Sequence, residues 1–219
     1  MTHKIAIFGG AFDPVHLAHL RAAQEAAEEL DLEQVLFMPC AEPPHDKTLR
    51  APIEHRLKML RLATADNPRF AVSDLEARLG GRSYTLNTLT EMQSLNPGAK
   101  LHFLIGADAF FYLHTWHQPM GLFKLADFVI LARPKSPEGE ILAYMQTRLD
   151  PGFKQAEDGW VRLPSGHGAR RVSTTLLSIS STGIRVRAAQ GLSLAYLVPR
   201  PVEDYIISMK LYLHPEAKG

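Results

Sequence analysis

The stretch Lys4-Ile5-Ala6-Ile7-Phe8-Gly9-Gly10-Ala11-Phe12-Asp13-Pro14-Val15-His16-Leu17-Ala18-His19 sets the reading of the whole chain. Lys4 to Phe8 is a short apolar run, the pattern of a buried strand. It stops at Gly9-Gly10, where two residues without Cβ allow a tight turn and a close approach of ligand to backbone. From about Val15 to Leu30 the chain is rich in Ala, Leu, Glu and Gln and reads as a helix. Strand, glycine turn and helix in succession aim free helix N–H groups at the strand's end, which makes an anion site. His16 and His19 are three residues apart and share a helix face. Each imidazole can donate to phosphate oxygens. The string is neither a P-loop, lacking Gly-Lys-Ser/Thr, nor G-x-G-x-x-G. A zinc site needs three or four ligands. The two histidines have no evident third partner, so no protein-ligated metal is expected.

Working outward, the same alternation repeats. Val35 to Met38, Phe70 to Val72, Leu101 to Ile105, Phe128 to Leu131 and Val172 to Leu177 read as strands. Pro52 to Ala65, Ser83 to Leu95, Pro137 to Leu149, Thr182 to Gln190 and Val202 to Leu213 read as helices. Pro39 to Pro52 is a proline-bearing loop. Residues 150 to 170 hold two prolines and four glycines and read as a surface excursion. Strands alternating with helices predict an α/β fold, with a doubly wound, mostly parallel sheet and helices on both faces. Ligands of such sheets sit beyond the carboxyl ends of the strands. Those ends are Gly9-Gly10, Pro39-Cys40, Gly106-Ala107-Asp108, Arg133-Pro134 and the region from Leu177 to Ser181.

Composition narrows the class. The 219 residues are 46% hydrophobic and 21% charged, which argues against disorder, fibrous repeats and disulfide-stapled miniproteins. Twenty-four Lys and Arg against 23 Asp and Glu give a net charge of +1, no footprint for long nucleic acid. No apolar run reaches the length of a membrane span. The first residues lack the pattern of a secretory signal. Cys40 is the single cysteine, so no intrachain disulfide forms, and a cytoplasmic protein is expected. Oligomeric state is not legible.

A second segment complements the first. In Ile179-Ser180-Ser181-Thr182-Gly183-Ile184-Arg185, Ser or Thr caps a helix whose N–H groups can hold phosphate. Arg185, one turn in, adds a charge-assisted donor. The histidine string resembles the (H/T)-x-G-H nucleotidylyltransferase superfamily, with Ala18 where glycine is usual. Residues 179–185 are similar to the I-S-S-T-x-I-R signature of that superfamily. Pro43-Pro44-His45-x-Lys47, Ser83-Tyr84-Thr85, Gly106-x-Asp108, Trp116 and Arg133-Pro134 follow in the order of the bacterial nicotinate mononucleotide adenylyltransferases. The likeness runs from Lys4 to about Tyr212.

That resemblance implies a Rossmann-like fold and one nucleotidylyltransferase domain over residues 1–219. The C-terminal helical part, about 180–213, would complete the ATP site. It implies a reaction in which the phosphate of nicotinate mononucleotide attacks the α-phosphorus of ATP, giving deamido-NAD and pyrophosphate. His16, His19, Lys47 and Arg185 would stabilise the phosphates. Gly9, Gly10, Phe12, Asp108, Arg133, Ser181 and Thr182 would bind ATP. Thr85, Trp116 and His117 would hold the nicotinate nucleotide, Trp116 by stacking. His117 stands where relatives carry an aromatic residue. Mg²⁺ would ride mainly on the ATP phosphates. Three alternatives stay open at this stage: a nicotinamide mononucleotide acceptor, a phosphopantetheine acceptor, and a non-catalytic ATP sensor.

Overall fold

The computed structural model describes residues 3–43, 48–132, 139–164 and 166–213. Its strands are β1 (Lys4–Gly10), β2 (Gln34–Pro39), β3 (Phe70–Val72), β4 (Lys100–Gly106), β5 (Asp127–Ala132), β6 (Lys154–Gln155), β7 (Trp160–Arg162) and β8 (Gly168–Ser173). They form one sheet in the order β3-β2-β1-β4-β5-β8-β7-β6. Pairing is parallel from β3 through to β8 and antiparallel for β8-β7 and β7-β6. The helices are α1 (Leu17–Leu30), α2 (Ile53–Thr64), α3 (Leu75–Leu79), α4 (Thr85–Leu95), α5 (Ala107–Phe110), α6 (Pro119–Leu122), α7 (Gly139–Arg148), α8 (Ser181–Ala189) and α9 (Arg200–Ser208). None is long and apolar enough to cross a membrane.

The continuous apolar runs of β1, β4 and β5 follow from burial on both faces. Successive side chains of a strand point to opposite sides. Ala6 and Phe8 of β1 therefore join one core, with Ala23, Ala26 and Ala27 of α1, Leu60 of α2, Ile184 of α8 and Ile206 of α9. Ile5 and Ile7 join the other, with Leu89 and Met92 of α4, Phe110 of α5, Leu122 of α6 and Met145 of α7. The chain moves from β1 outward to β2 and β3, then crosses back to β4 on the other side of β1. That reversal opens a crevice at the carboxyl ends of β1 and β4, the place where open α/β sheets bind ligands.

Residues 150–170 depart from expectation. They form no loose excursion but a β6–β7 hairpin leading into β8, and Phe153, Trp160 and Val161 are buried beneath it. Burying three apolar side chains is what anchors this segment to the sheet's edge. Accordingly β8 begins at Gly168 and ends at Ser173, earlier at both ends than the sequence pattern.

At the opposite end of the sheet from the crevice, Asp127 is fully buried. It accepts a hydrogen bond from Gly168 N–H at 2.9 Å and pairs with Lys100 Nζ at 2.9 Å. His102, also buried, has its pKa lowered to about 4, chiefly by burial. His16 is lowered to about 4 for the same reason. Both rings are neutral when folded and take up a proton near pH 6.5 when unfolded. The unfolded state thus binds more protons between about pH 6.5 and 4, and stability falls as pH drops through that window. Each ring contributes on the order of 3 kcal/mol to that loss. Thermal unfolding should show a midpoint that declines steadily from pH 7 to 4.5, and less steeply in His102→Gln. A midpoint that stays flat across this range contradicts the assignment.

Candidate active site

The glycine turn sits under two aromatic rings. A Cβ on Gly9 would lie 2.9 Å from the Phe103 ring, and one on Gly10 would lie 3.1 Å from Phe12. Neither position has room for a side chain without movement of a buried ring. Phe12 itself is only 2% exposed and adopts a left-handed backbone, φ 46°. Its ring packs on Phe8, Phe37 and His19. The Phe12 ring is a wedge buried beneath the loop, which leaves its main chain as the part that can meet a ligand.

His16 is the N-cap of α1 rather than a residue within it, and His19 follows at the third helical position. Their rings stack with centroids 3.6 Å apart and planes 18° from parallel. The His16 N–H donates to Nδ1 of His19 at 3.3 Å. An accepting Nδ1 puts the proton of a neutral His19 on Nε2. Nδ1 of His16 is buried without a hydrogen-bond partner, which leaves Nε2 as its nitrogen for a ligand. The helix amides contribute less than expected from sequence. Leu17 N–H donates to Leu197 O at 3.0 Å, and His19 and Leu20 N–H donate to His16 O. Of the first turn, Ala18 keeps its N–H.

The far segment meets this loop. Ser180 caps α8, accepting from Gly183 N–H at 3.1 Å. Ser181 Oγ donates to Pro14 O at 2.8 Å. Its hydroxyl proton is therefore committed, while the N–H groups of Ser181 and Thr182 stand at the open start of the helix. Arg185 Nη1 donates to Asp13 O at 2.8 Å and Nη2 to Thr182 Oγ1 at 3.1 Å. Residues 181 and 185 thus touch the loop that carries both histidines.

Beside this lies a cavity of about 550 Å³. Gly9, Gly10 and Gly106 form its base, and Thr85, Trp116 and His117 lie along its wall with Cys40 and Glu76. Trp116 packs edge-on to Phe103, ring centroids 6.3 Å apart. His117 lies 4.9 Å from the Tyr84 ring. Thr85 is the first residue of α4, and the Thr85 and Leu86 N–H groups come before the first intrahelical donor, Asn87. Asp108 is exposed just past β4. Lys47 and Arg133 lie outside the described residues.

A sequence profile of the cytidylyltransferase-like family matches residues 7–187, a span that includes both the histidine loop and Arg185. The chain belongs to that family. It is 43% identical over 211 residues to a Trichlorobacter lovleyi protein named "Probable nicotinate-nucleotide adenylyltransferase", covering 95% of this chain and 99% of that one. A Geobacter metallireducens protein of the same name is 40% identical over 96% of this chain and 99% of its own. Among solved structures, Plasmodium falciparum nicotinic acid mononucleotide adenylyltransferase complexed with APC superposes with a TM-score of 0.72. That match covers 96% of this chain and 97% of that one. At 20% identity it speaks to the fold.

This cytidylyltransferase-like site also contains residues that sequence reading passed over. Arg56 is 1% exposed and donates to three carbonyls: Ala51 O at 3.1 Å, Ala11 O at 2.9 Å and Cys40 O at 2.8 Å. It clamps the glycine loop to the end of β2. One signal was available: Arg56 shares a helix face with Met59 and Leu60, both core residues. Glu76 receives Thr88 Oγ1 at 2.8 Å, and burial raises its carboxyl above the usual range.

Proposed function

We infer that the chain transfers the adenylyl group of ATP to nicotinate mononucleotide, releasing pyrophosphate and deamido-NAD. The observation that carries this reading is the cavity at the β1/β4 crevice. It pairs a ring-stacking tryptophan and the unpaired amides of α4 with the loop that holds His16 and His19. The family membership and the names of the relatives support it.

The acceptor's phosphate oxygen attacks the α-phosphorus in line, and the bond to the β-phosphate oxygen breaks with its electrons leaving on pyrophosphate. A phosphate nucleophile is already ionised at neutral pH, so no general base is needed. Catalysis is positioning and charge stabilisation. His19 Nε2–H and His16 steady the α- and β-phosphate oxygens. Arg185, Lys47 and the Ser181 and Thr182 amides hold the leaving pyrophosphate. Gly9 and Gly10 let the nucleotide approach the backbone, and Asp108 and Arg133 flank adenine and ribose. One domain performs the reaction, and its C-terminal helical part, about 180–213, completes the ATP site through the start of α8.

Among the described residues, no three His, Cys, Asp or Glu side chains come together as a metal site. Mg²⁺ would be carried on the triphosphate by phosphate oxygens and water, as an ion that takes few protein ligands. When bound, the ion neutralises charge on the triphosphate. A cytoplasmic site for the reaction belongs to the same proposal, and the bacterial relatives support it.

Trp116 stacks on the pyridine ring. The N–H groups of Thr85 and Leu86 face its carboxylate, and His117 closes the rim. Donors without acceptors favour an anion over a neutral amide. Pyrophosphate release, measured with ATP and each of three acceptors, tests this. Nicotinate mononucleotide should exceed nicotinamide mononucleotide by at least about a hundredfold, and phosphopantetheine should be inert. Release with none of them favours an ATP sensor.

A further inference from the structure

Asp13 stands three residues before His16 and is 2% exposed, so its carboxylate is out of reach of any substrate. Yet it is among the most heavily bonded groups near the site. Oδ2 accepts from Arg50 N–H at 2.6 Å. Oδ1 accepts from Ala51 N–H at 3.1 Å and from the Tyr212 hydroxyl at 2.7 Å. The Asp13 carbonyl accepts from Arg185 at 2.8 Å. These donors come from three remote stretches: the end of the loop that carries Lys47, the helix that carries Arg185, and the C-terminal segment. The proposed phosphate-binding groups are thus mechanically joined at one residue that touches no phosphate.

We propose that Asp13 is a positioning residue, the buried joint that sets the imidazoles of His16 and His19 against Arg185, and that the Tyr212 hydroxyl is the bond locking the C-terminal segment onto it. This deepens the adenylyl-transfer reading and rests on it. A buried carboxylate needs its donors, and losing one leaves it under-compensated and free to shift. A shift of about 1 Å in a catalytic group can cost about 10²-fold in rate. Tyr212 suits the task. Burial first, and then the Asp13 charge, push its phenol upward, so it stays a donor at any working pH.

Tyr212→Phe tests this because it removes one hydroxyl and keeps the ring. The turnover number should fall about 10- to 100-fold, with KM for nicotinate mononucleotide within about twofold of the wild type. Tyr205→Phe is the control. Its hydroxyl lies 2.8 Å from His55 Nδ1 and ties α9 to α2 without meeting the phosphate-site residues. It should leave turnover unchanged, which separates positioning from mere docking of the C-terminal helix. In the ligand-free protein, the imidazole NMR resonances of His16 and His19 should shift in Tyr212→Phe and not in Tyr205→Phe, a readout that needs no turnover. Asp13→Asn should lose turnover similarly, and the double variant with Tyr212→Phe should lose little more, because both break one joint. Wild-type turnover in Tyr212→Phe with unmoved imidazole resonances, or equal losses in the two tyrosine variants, overturns the inference. Both results leave adenylyl transfer by the wild type standing, whereas an inactive wild type overturns that reading and leaves the resonance test of the joint intact.

Discussion

Replacing His19 by alanine lowers turnover by about 10²–10³ while leaving the affinity for nicotinate mononucleotide nearly intact. The size follows from what the imidazole does. Its Nδ1 is engaged by the His16 N–H at 3.3 Å, which makes Nε2–H the ring's donor. A preorganised donor at a developing charge is worth about 10²–10³ in rate when removed. His16 is a separate contact on the phosphates rather than a spare for His19, and the variant also takes away the ring it stacks on at 3.6 Å. In the proposed reading the pyridine nucleotide is held elsewhere, along the cavity wall that Thr85 and Trp116 line. Steady-state turnover with both substrates varied separates the two effects. Near-normal turnover in His19→Ala removes this residue from the mechanism.

Trp116→Ala acts on the other substrate. Stacking an aromatic side chain on a base is worth about 1–3 kcal/mol by alanine substitution, or roughly 5- to 150-fold in binding. KM for nicotinate mononucleotide should rise by that order, with KM for ATP little changed. The indole is positioned by its edge contact with Phe103, which also lies against Gly9 at the base of the cavity. Equal rises in both Michaelis constants undo the stacking assignment.

How much of this was legible in the sequence depends on whether a feature is local. Lys4 to Phe8 read as a buried strand because an interior parallel strand must be apolar on both faces, and β1 feeds both cores. Gly9-Gly10 and the cap at Ser180 were visible as turn and helix-start chemistry. The β6–β7 hairpin was not. β6 is only two residues long and exposed, and the burial of Phe153, Trp160 and Val161 depends on an edge supplied by β8. The burial of the Phe12 ring was not legible, because an aromatic residue in a loop looks the same in sequence whether it faces outward or inward. Asp13 gave no signal of its role, since its partners at positions 50, 51, 185 and 212 come together only in the folded chain.

The central claim is that the histidine loop and the start of α8 enclose one polyphosphate. Titrating the protein with pyrophosphate, while following the His19 imidazole, the Arg185 guanidinium and the Ser181 and Thr182 amides by NMR, tests it most directly. All four signals should move along a single binding curve with one dissociation constant. Imidazole shifts with residues 181 to 185 left still, or two separate binding curves, contradict the account.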